Sequence, residues 1–157
     1  MLGYTISSKG RPAEIMLVED NFGDVLLIRK ALERTGLKGN ISVAEDGQMA
    51  MDMLRKRGSY QGQTLPDIIL LDINLPKMNG TEILGMIKSD IMLRRIPVIV
   101  MSGSKSRSDI SRCYDLYANG YILKPNSLEK LTEAVAAIAQ FWFEQVLYID
   151  PNQQEQA

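Results

Sequence analysis

The chain is 157 residues long, 45% hydrophobic and 24% charged, with 18 basic residues against 19 acidic ones and a formal net charge of -1. That composition supports a packed core and argues against wholesale disorder, and the near-neutral balance gives no reason for attraction to a polyanion such as DNA. There is no histidine, so His-ligated metals, Ser/His/Asp hydrolysis and a histidine-borne phosphoryl relay inside this chain are excluded.

The length suits one domain, expected over residues 13–144, with a tail at 1–12 and an extension at 145–157 that leave no room for a second, output domain. The opening MLGYTISSKGRPAE lacks the apolar stretch of a signal peptide, and no run reaches the roughly 18 apolar residues of a membrane span. A cytoplasmic protein without membrane contact is expected. The lone Cys113 cannot close an internal disulfide and reads as a small buried thiol, not a redox group.

Five short apolar runs alternate with five helix-like segments, the pattern of an α/β fold whose parallel sheet is covered on both faces. The first run, 15–18, leads straight into Glu19-Asp20-Asn21. A helix is predicted over 22–35, with Val25, Leu26, Ile28, Arg29 and Leu32 on its buried stripe and Gly36 stopping it. The second run, 41–44, is weaker and turns through Glu45-Asp46-Gly47 into a helix carrying Ala50, Met53 and Leu54. Residues 58–66 read as a loop. The third run, 68–71, is apolar at every position, as a strand buried on both faces should be, and it ends at Asp72.

Pro76 and Gly80 bend the chain into a helix over 81–89, and the fourth run, 98–101, ends at Ser102-Gly103-Ser104. A helix over 108–118 precedes the short run 121–123, which stops at Lys124-Pro125. The last helix is predicted from an N-cap at Ser127 to about residue 144, with Leu128, Leu131, Val135, Ile138 and Trp142 on one stripe. Beyond Asp150 the chain reads as disordered.

Glu19, Asp20, Asp72, Ser102 and Lys124 all fall at the C-terminal ends of predicted parallel strands, the edge at which open α/β sheets bind ligands. Three carboxylates at one point repel one another unless a cation compensates, so the cluster predicts a divalent metal. All-oxygen ligation favours Mg2+, with Mn2+ as a chemical substitute. Asp72, on the central buried strand, is the best nucleophile candidate, and Lys124 supplies a fixed positive charge for a transferring phosphoryl group. Ser102 offers a hydroxyl able to swing toward a new phosphoryl oxygen. Taken singly, each has a plainer role: a strand-end turn, a solvated lysine, a local cap.

From residue 14 to 142 the chain resembles the receiver domains of bacterial and archaeal response regulators. The resemblance rests on Glu19-Asp20, on Leu70-Leu71-Asp72-Ile73-Asn74-Leu75-Pro76-Lys77-Met78-Asn79-Gly80, on Met101-Ser102-Gly103 and on Tyr121-Ile122-Leu123-Lys124-Pro125. It implies a five-stranded parallel sheet in a doubly wound, flavodoxin-like three-layer sandwich with five helices. It further implies a phosphoacceptor, not an enzyme with outside substrates, that takes a phosphoryl group from a sensor histidine kinase onto Asp72 and catalyses only its own phosphorylation and dephosphorylation. Mg2+ is then held by Asp20, Asp72 and the Asn74 backbone carbonyl, with Glu19 joining through water. Ser102 and Tyr121 become the switch pair, Asn74 and Ser104 modulate hydrolysis rate, and the Lys124–Pro125 bond is expected to be cis. Glu19 departs from the family's usual aspartate, and its extra methylene is expected to move the carboxylate outward.

Among receivers the chain is similar to single-domain regulators associated with cyanobacterial phytochromes, on the loop at 58–66, the Pro97-to-Ser102 strand and the aromatic Phe141-Trp142-Phe143. A sensor histidine kinase is the partner this implies, with a phytochrome-like one among the candidates and the particular sensor left open. The last helix carries more apolar surface than one stripe needs, through Ala134, Ala137, Phe141, Phe143, Val146, Leu147, Tyr148 and Ile149, so a homodimer or partner contact there stands against a tail folded back on its own domain.

Three rival readings remain. A non-phosphorylated pseudo-receiver would keep the fold as an interaction module, and Glu19 is its one support. A haloacid-dehalogenase-type phosphatase wants a second aspartate where this chain has Asn74. A flavodoxin-like electron carrier would need phosphate-binding donors where Glu19-Asp20 would repel the anion.

Overall fold

A computed structural model of the chain describes residues 12–146 and 148–152. The expectations for the tail at 1–11, for Leu147 and for 153–157 lie outside these residues. Within them, strands β1 (Ala13–Val18), β2 (Gly39–Ala44), β3 (Ile68–Leu71), β4 (Val98–Ser102) and β5 (Gly120–Leu123) alternate with helices α1 (Phe22–Arg34), α2 (Gly47–Leu54), α3 (Gly80–Ser89), α4 (Arg107–Asp115) and α5 (Leu128–Gln140). The strands form one parallel sheet in the order β2-β1-β3-β4-β5. This is the doubly wound three-layer fold expected, with β1 and β3 meeting at the reversal of strand order where such sheets bind ligands.

Side-chain alternation along the strands builds the two cores. Ile15, Leu17, Ile68 and Leu70 face α1 and α5, where Val25, Ile28, Leu32, Leu131, Val135 and Phe143 close over them. Met16, Val18, Ile69 and Leu71 face the opposite way, onto Leu54, Ile83, Leu84, Ile87 and Cys113. Each large side chain so buried contributes about 1.5–3 kcal/mol relative to exposure. Cys113 is buried as read, and that burial pushes its thiol pKa up.

Most helix starts carry the cap their sequence offers. Asn21, Asp46, Asn79, Ser106 and Ser127 each accept a backbone N–H from the first turn of the helix that follows. Two stripes differ from expectation. On α1 the buried positions are Val25, Ile28, Ala31 and Leu32, while Leu26 is half exposed, because the helix turns its 25/28/32 face inward and leaves 26 on its flank. On the last helix the buried line is Leu131, Val135, Ala139 and Phe143, with Trp142 only half-buried; a π-helical turn over Phe141–Gln145 ends the α-helix at Gln140.

The chain then folds back. Tyr148 stacks on Trp142 at 5.7 Å and meets Phe143 edge-on at 6.3 Å. Asn152, expected to be disordered, accepts from the Leu65 amide at 2.7 Å and donates to the Leu65 carbonyl at 3.0 Å, imitating a strand partner for the residue that leads into β3. At the entry to β4, Lys88 Nζ donates to the carbonyls of Arg94 and Ile96 and to Asn119 Oδ1, which ties α3 to the neighbouring strand ends.

The turn after β3 is closed by Gly80, whose amide donates to the Ile73 carbonyl at 2.9 Å. A Cβ at Gly80 would stand 2.4 Å from the Asp72 carbonyl oxygen and 2.4 Å from Ile73 Cα, both backbone atoms with no room to yield. Gly80→Ala is therefore expected to cost about 1–3 kcal/mol of stability in urea unfolding, as overpacked sites do. A midpoint unchanged from wild type would show that the turn can open without cost.

Candidate functional site

β1 delivers Glu19 and Asp20, and backbone bonds from Glu19 N to Ala44 O and from Asp72 N to Val18 O, both 3.0 Å, tie these strand ends side by side. One oxygen from each of Glu19, Asp20 and Asp72 can lie within 4.8 Å of the other two. Lys124 comes from the end of β5, and its amide is held by the Ser102 carbonyl of β4 at 2.9 Å. Four strands thus contribute to one edge, as parallel register demands.

Lys124 Nζ is the centre of the arrangement. It donates to Glu19 Oε2 at 2.7 Å, to Asp24 Oδ2 at 2.9 Å and to Asp72 Oδ2 at 2.9 Å. An ammonium has three N–H donors, so these contacts use all of them. Burial alone would lower the Lys124 pKa, but its hydrogen bonds to Glu19, Asp24 and Asp72 outweigh that and hold it above the ordinary lysine range. Glu19 shows the opposite balance. Burial lifts its carboxyl to about 7, against the lowering by Lys124 and by the Asn21 amide that bonds Oε1, with the nearby Asp72 charge adding to the rise.

The longer Glu19 side chain does not move outward as expected. It is only 1% exposed, with its Oε2 on Lys124 Nζ, while Asp20 is the member of the pair left exposed. Asp72 is buried, with Oδ1 accepting the Asn74 amide at 3.0 Å and Oδ2 on Lys124. A buried carboxylate pair beside an exposed third is a donor set that a hard divalent cation fits: all oxygen, anionic and open to water on one side. Mg2+ is the ion of choice for it, and Mn2+ can replace it.

Ser102 and Tyr121 both direct their hydroxyls to Ser104. Ser102 is fully buried and its Oγ accepts the Ser104 amide at 3.1 Å. The Tyr121 hydroxyl donates to the Ser104 carbonyl at 2.8 Å, and its ring packs on the α3 side of the core. Both therefore grip the same residue, Ser104, one at its amide and the other at its carbonyl. The Lys124–Pro125 bond, expected to be cis, is trans, and no cis bond occurs among the described residues. Trans is the lower-energy isomer before proline by about 0.5–1 kcal/mol, and from it Lys124 already reaches all three carboxylates.

Asp24 is the residue that reading the sequence missed. An acid in the first helical turn is ordinarily explained by the helix dipole, and that explanation hid its reach across the sheet edge to Lys124. Its position five residues after Glu19, just beyond the Asn21 cap, was the available signal. A cleft of about 760 Å3 beside Ile91, Met92, Tyr148 and Ile149 lies away from these groups, where β3 and β4 begin.

The model of the response regulator receiver domain family matches residues 15–136. The chain is 43% identical over 131 residues to the probable methanogenesis regulatory protein FilR2 of Methanothrix harundinacea, covering 83% of this chain and 84% of that one. It is 38% identical over 135 residues to response regulator Rcp1 of Synechocystis, covering 86% and 92%. Among solved structures, the phosphorylated cyanobacterial phytochrome response regulator RcpA superposes with a TM-score of 0.84 at 43% identity, over 88% of this chain and 99% of that one. The Mn(2+)-bound form of Rcp1 superposes with a TM-score of 0.81 at 37% identity, over 87% and 99%. With a carboxylate cluster and a lysine gathered at the sheet edge of a doubly wound fold, and with relatives matched over nearly their whole length, this chain belongs to the response regulator receiver family of two-component signalling.

Proposed function

We propose that the protein accepts a phosphoryl group from the phosphohistidine of a sensor kinase onto Asp72 and signals by the rearrangement that follows. The observation that carries this reading is the contact of Lys124 Nζ with Asp72 Oδ2 at 2.9 Å, inside a cluster that also offers Glu19 and Asp20. An Asp72 carboxylate oxygen attacks phosphorus, the P–N bond to the kinase imidazole breaks, and the freed imidazole nitrogen keeps the bonding pair and takes up a proton. Lys124, held protonated, turns one N–H from Asp72 to a phosphoryl oxygen. Asp20, Asp72, the Asn74 carbonyl and Glu19 are the groups to hold Mg2+, which when bound supplies charge neutralisation for the phosphoryl oxygens.

Ser102 then releases the Ser104 amide and donates its hydroxyl to a phosphoryl oxygen. Tyr121 gives up the Ser104 carbonyl and turns inward, so the two bonds that grip Ser104 are exchanged together and α4 and β5 shift. Hydrolysis of the acyl phosphate resets the state, with Asn74 and Ser104 positioned to modulate it. Exposed Phe22 and Leu26, on α1 beside the site, form the apolar surface suited to the kinase, of the phytochrome-associated kind that the name of the RcpA structure carries to this chain.

A homodimer belongs to the same proposal. With the tail folded back, Ala137 on α5 and Phe141 at the start of its π-helical continuation remain exposed, and Ile149 is exposed beside the cleft where β3 and β4 begin. Sedimentation should then show a dimer that Phe141→Glu dissociates; a monomer at high concentration in both phosphorylation states would remove the dimer and leave the receiver chemistry standing.

Intact mass after incubation with acetyl phosphate tests the chemistry. One phosphoryl group is gained by the wild type with Mg2+, and none by Asp72→Asn or by wild type in excess EDTA. An acid-stable, hydroxylamine-sensitive label persisting in Asp72→Asn would point to another acceptor, and a folded wild type that takes up no label from any phosphodonor would favour the pseudo-receiver.

A further inference from the structure

The Lys124 ammonium has three partners among the described residues, and two of them have other work to do. Glu19 and Asp72 belong to the carboxylate cluster that suits a divalent cation, and Asp72 is the proposed nucleophile. Asp24 lies outside that cluster, and its carboxylate bonds Lys124 across 100 residues of chain. Its position is not left to a flexible loop. The Asp24 amide donates to Asn21 Oδ1 at 2.9 Å, and the Asn21 amide donates to Glu19 Oε1 at 3.1 Å. With the Lys124 contacts to Glu19 and Asp24, these bonds close a ring through Glu19, Asn21, Asp24 and Lys124.

We propose that Asp24 is a positioning residue for the phosphoryl-transfer chemistry, acting through Lys124. The inference rests on the receiver reading above and adds a residue to it. When Asp72 is esterified, the oxygen that faced Lys124 no longer carries a full charge, and Glu19 is drawn toward any cation bound beside it. Two of the three bonds that hold the ammonium are then weakened, while the Asp24 bond is not. Asp24 keeps Nζ at the site and leaves a donor free to follow the phosphoryl group.

Without Asp24 the opposite happens. The ammonium settles onto Glu19 and Asp72 with nothing drawing it away, and competes with the cation for the same oxygens. The usual account of an acid in the first helical turn, attraction to the helix N-terminus, predicts an effect on stability alone. Action through Lys124 predicts an effect on metal affinity and on rate, which vanishes when Lys124 is removed.

A double-mutant cycle separates the two. Mg2+ affinity is measured by calorimetry without any phosphodonor, and the phosphorylation rate by intact mass with acetyl phosphate at saturating Mg2+, for wild type, Asp24→Ala, Asp24→Asn, Lys124→Met and the Asp24→Ala/Lys124→Met pair. Asp24→Ala should weaken Mg2+ binding by about threefold and slow phosphorylation by about tenfold, the size of coupling seen for residues sharing one hydrogen-bonded network. Asp24→Asn, which keeps the acceptor and loses the charge, should fall between, and it carries the test if Asp24→Ala unfolds. In the Lys124→Met background Asp24→Ala should change neither quantity further.

Wild-type values in Asp24→Ala, or an undiminished Asp24→Ala effect when Lys124 is already gone, would overturn the inference. A wild type that is never labelled would instead sink the receiver reading, and the Mg2+ titrations would still decide whether Asp24 acts through Lys124.

Discussion

One ammonium among three carboxylates organises the working edge of this molecule. Glu19 and Asp72 are almost fully removed from water, and two neighbouring buried anions would repel one another without a cation between them. Lys124 provides that cation permanently, from a strand two places away in the sheet from the one that carries Asp72. The backbone bonds between Asp72 and Val18 and between Lys124 and Ser102 are what bring the three strand ends into register for it. Loss of either alignment would strand a charge in a poorly solvated place, so the fold and the site depend on each other.

The same edge combines a stiff part with a part that can exchange partners. Asp72 is stiff: β3 is buried on both faces, and the turn that follows is closed against Gly80 with no spare volume. In the proposed switch Ser104 is the part that changes partners, and the Ser102 and Tyr121 hydroxyls each hold it by a single bond. A bond of that kind contributes about 1 kcal/mol net, which a charge-assisted bond to a phosphoryl oxygen readily exceeds. The switch proposed above needs no strained backbone, only a phosphoryl group on Asp72 to offer new acceptors.

Where the strands begin, the chain past α5 spends its apolar side chains on its own domain. The π-helical turn carries Phe143 into the core, Tyr148 lies over Trp142, and Asn152 pairs with Leu65 as a strand would. Folding back and offering a surface are therefore not exclusive. Phe143 is consumed by the first and Phe141, two residues away, is left for the second.

The fold and the chemical cluster were legible because they depend on local patterns. Runs such as 68–71, apolar at every position, can belong only to an element covered on both faces, and parallel strands place the residue after each run at a common edge. Glu19, Asp20, Asp72 and Lys124 followed from that rule without knowledge of any distance. What tertiary structure decided was the direction in which side chains reach. Glu19 is buried with its carboxylate on Lys124, Asp24 in the first turn of α1 meets the same ammonium, and Leu26 is half exposed while Ala31 is buried. Sequence order carries no record of such choices, since each is made by a partner some 100 residues distant or by the packing angle of a whole helix.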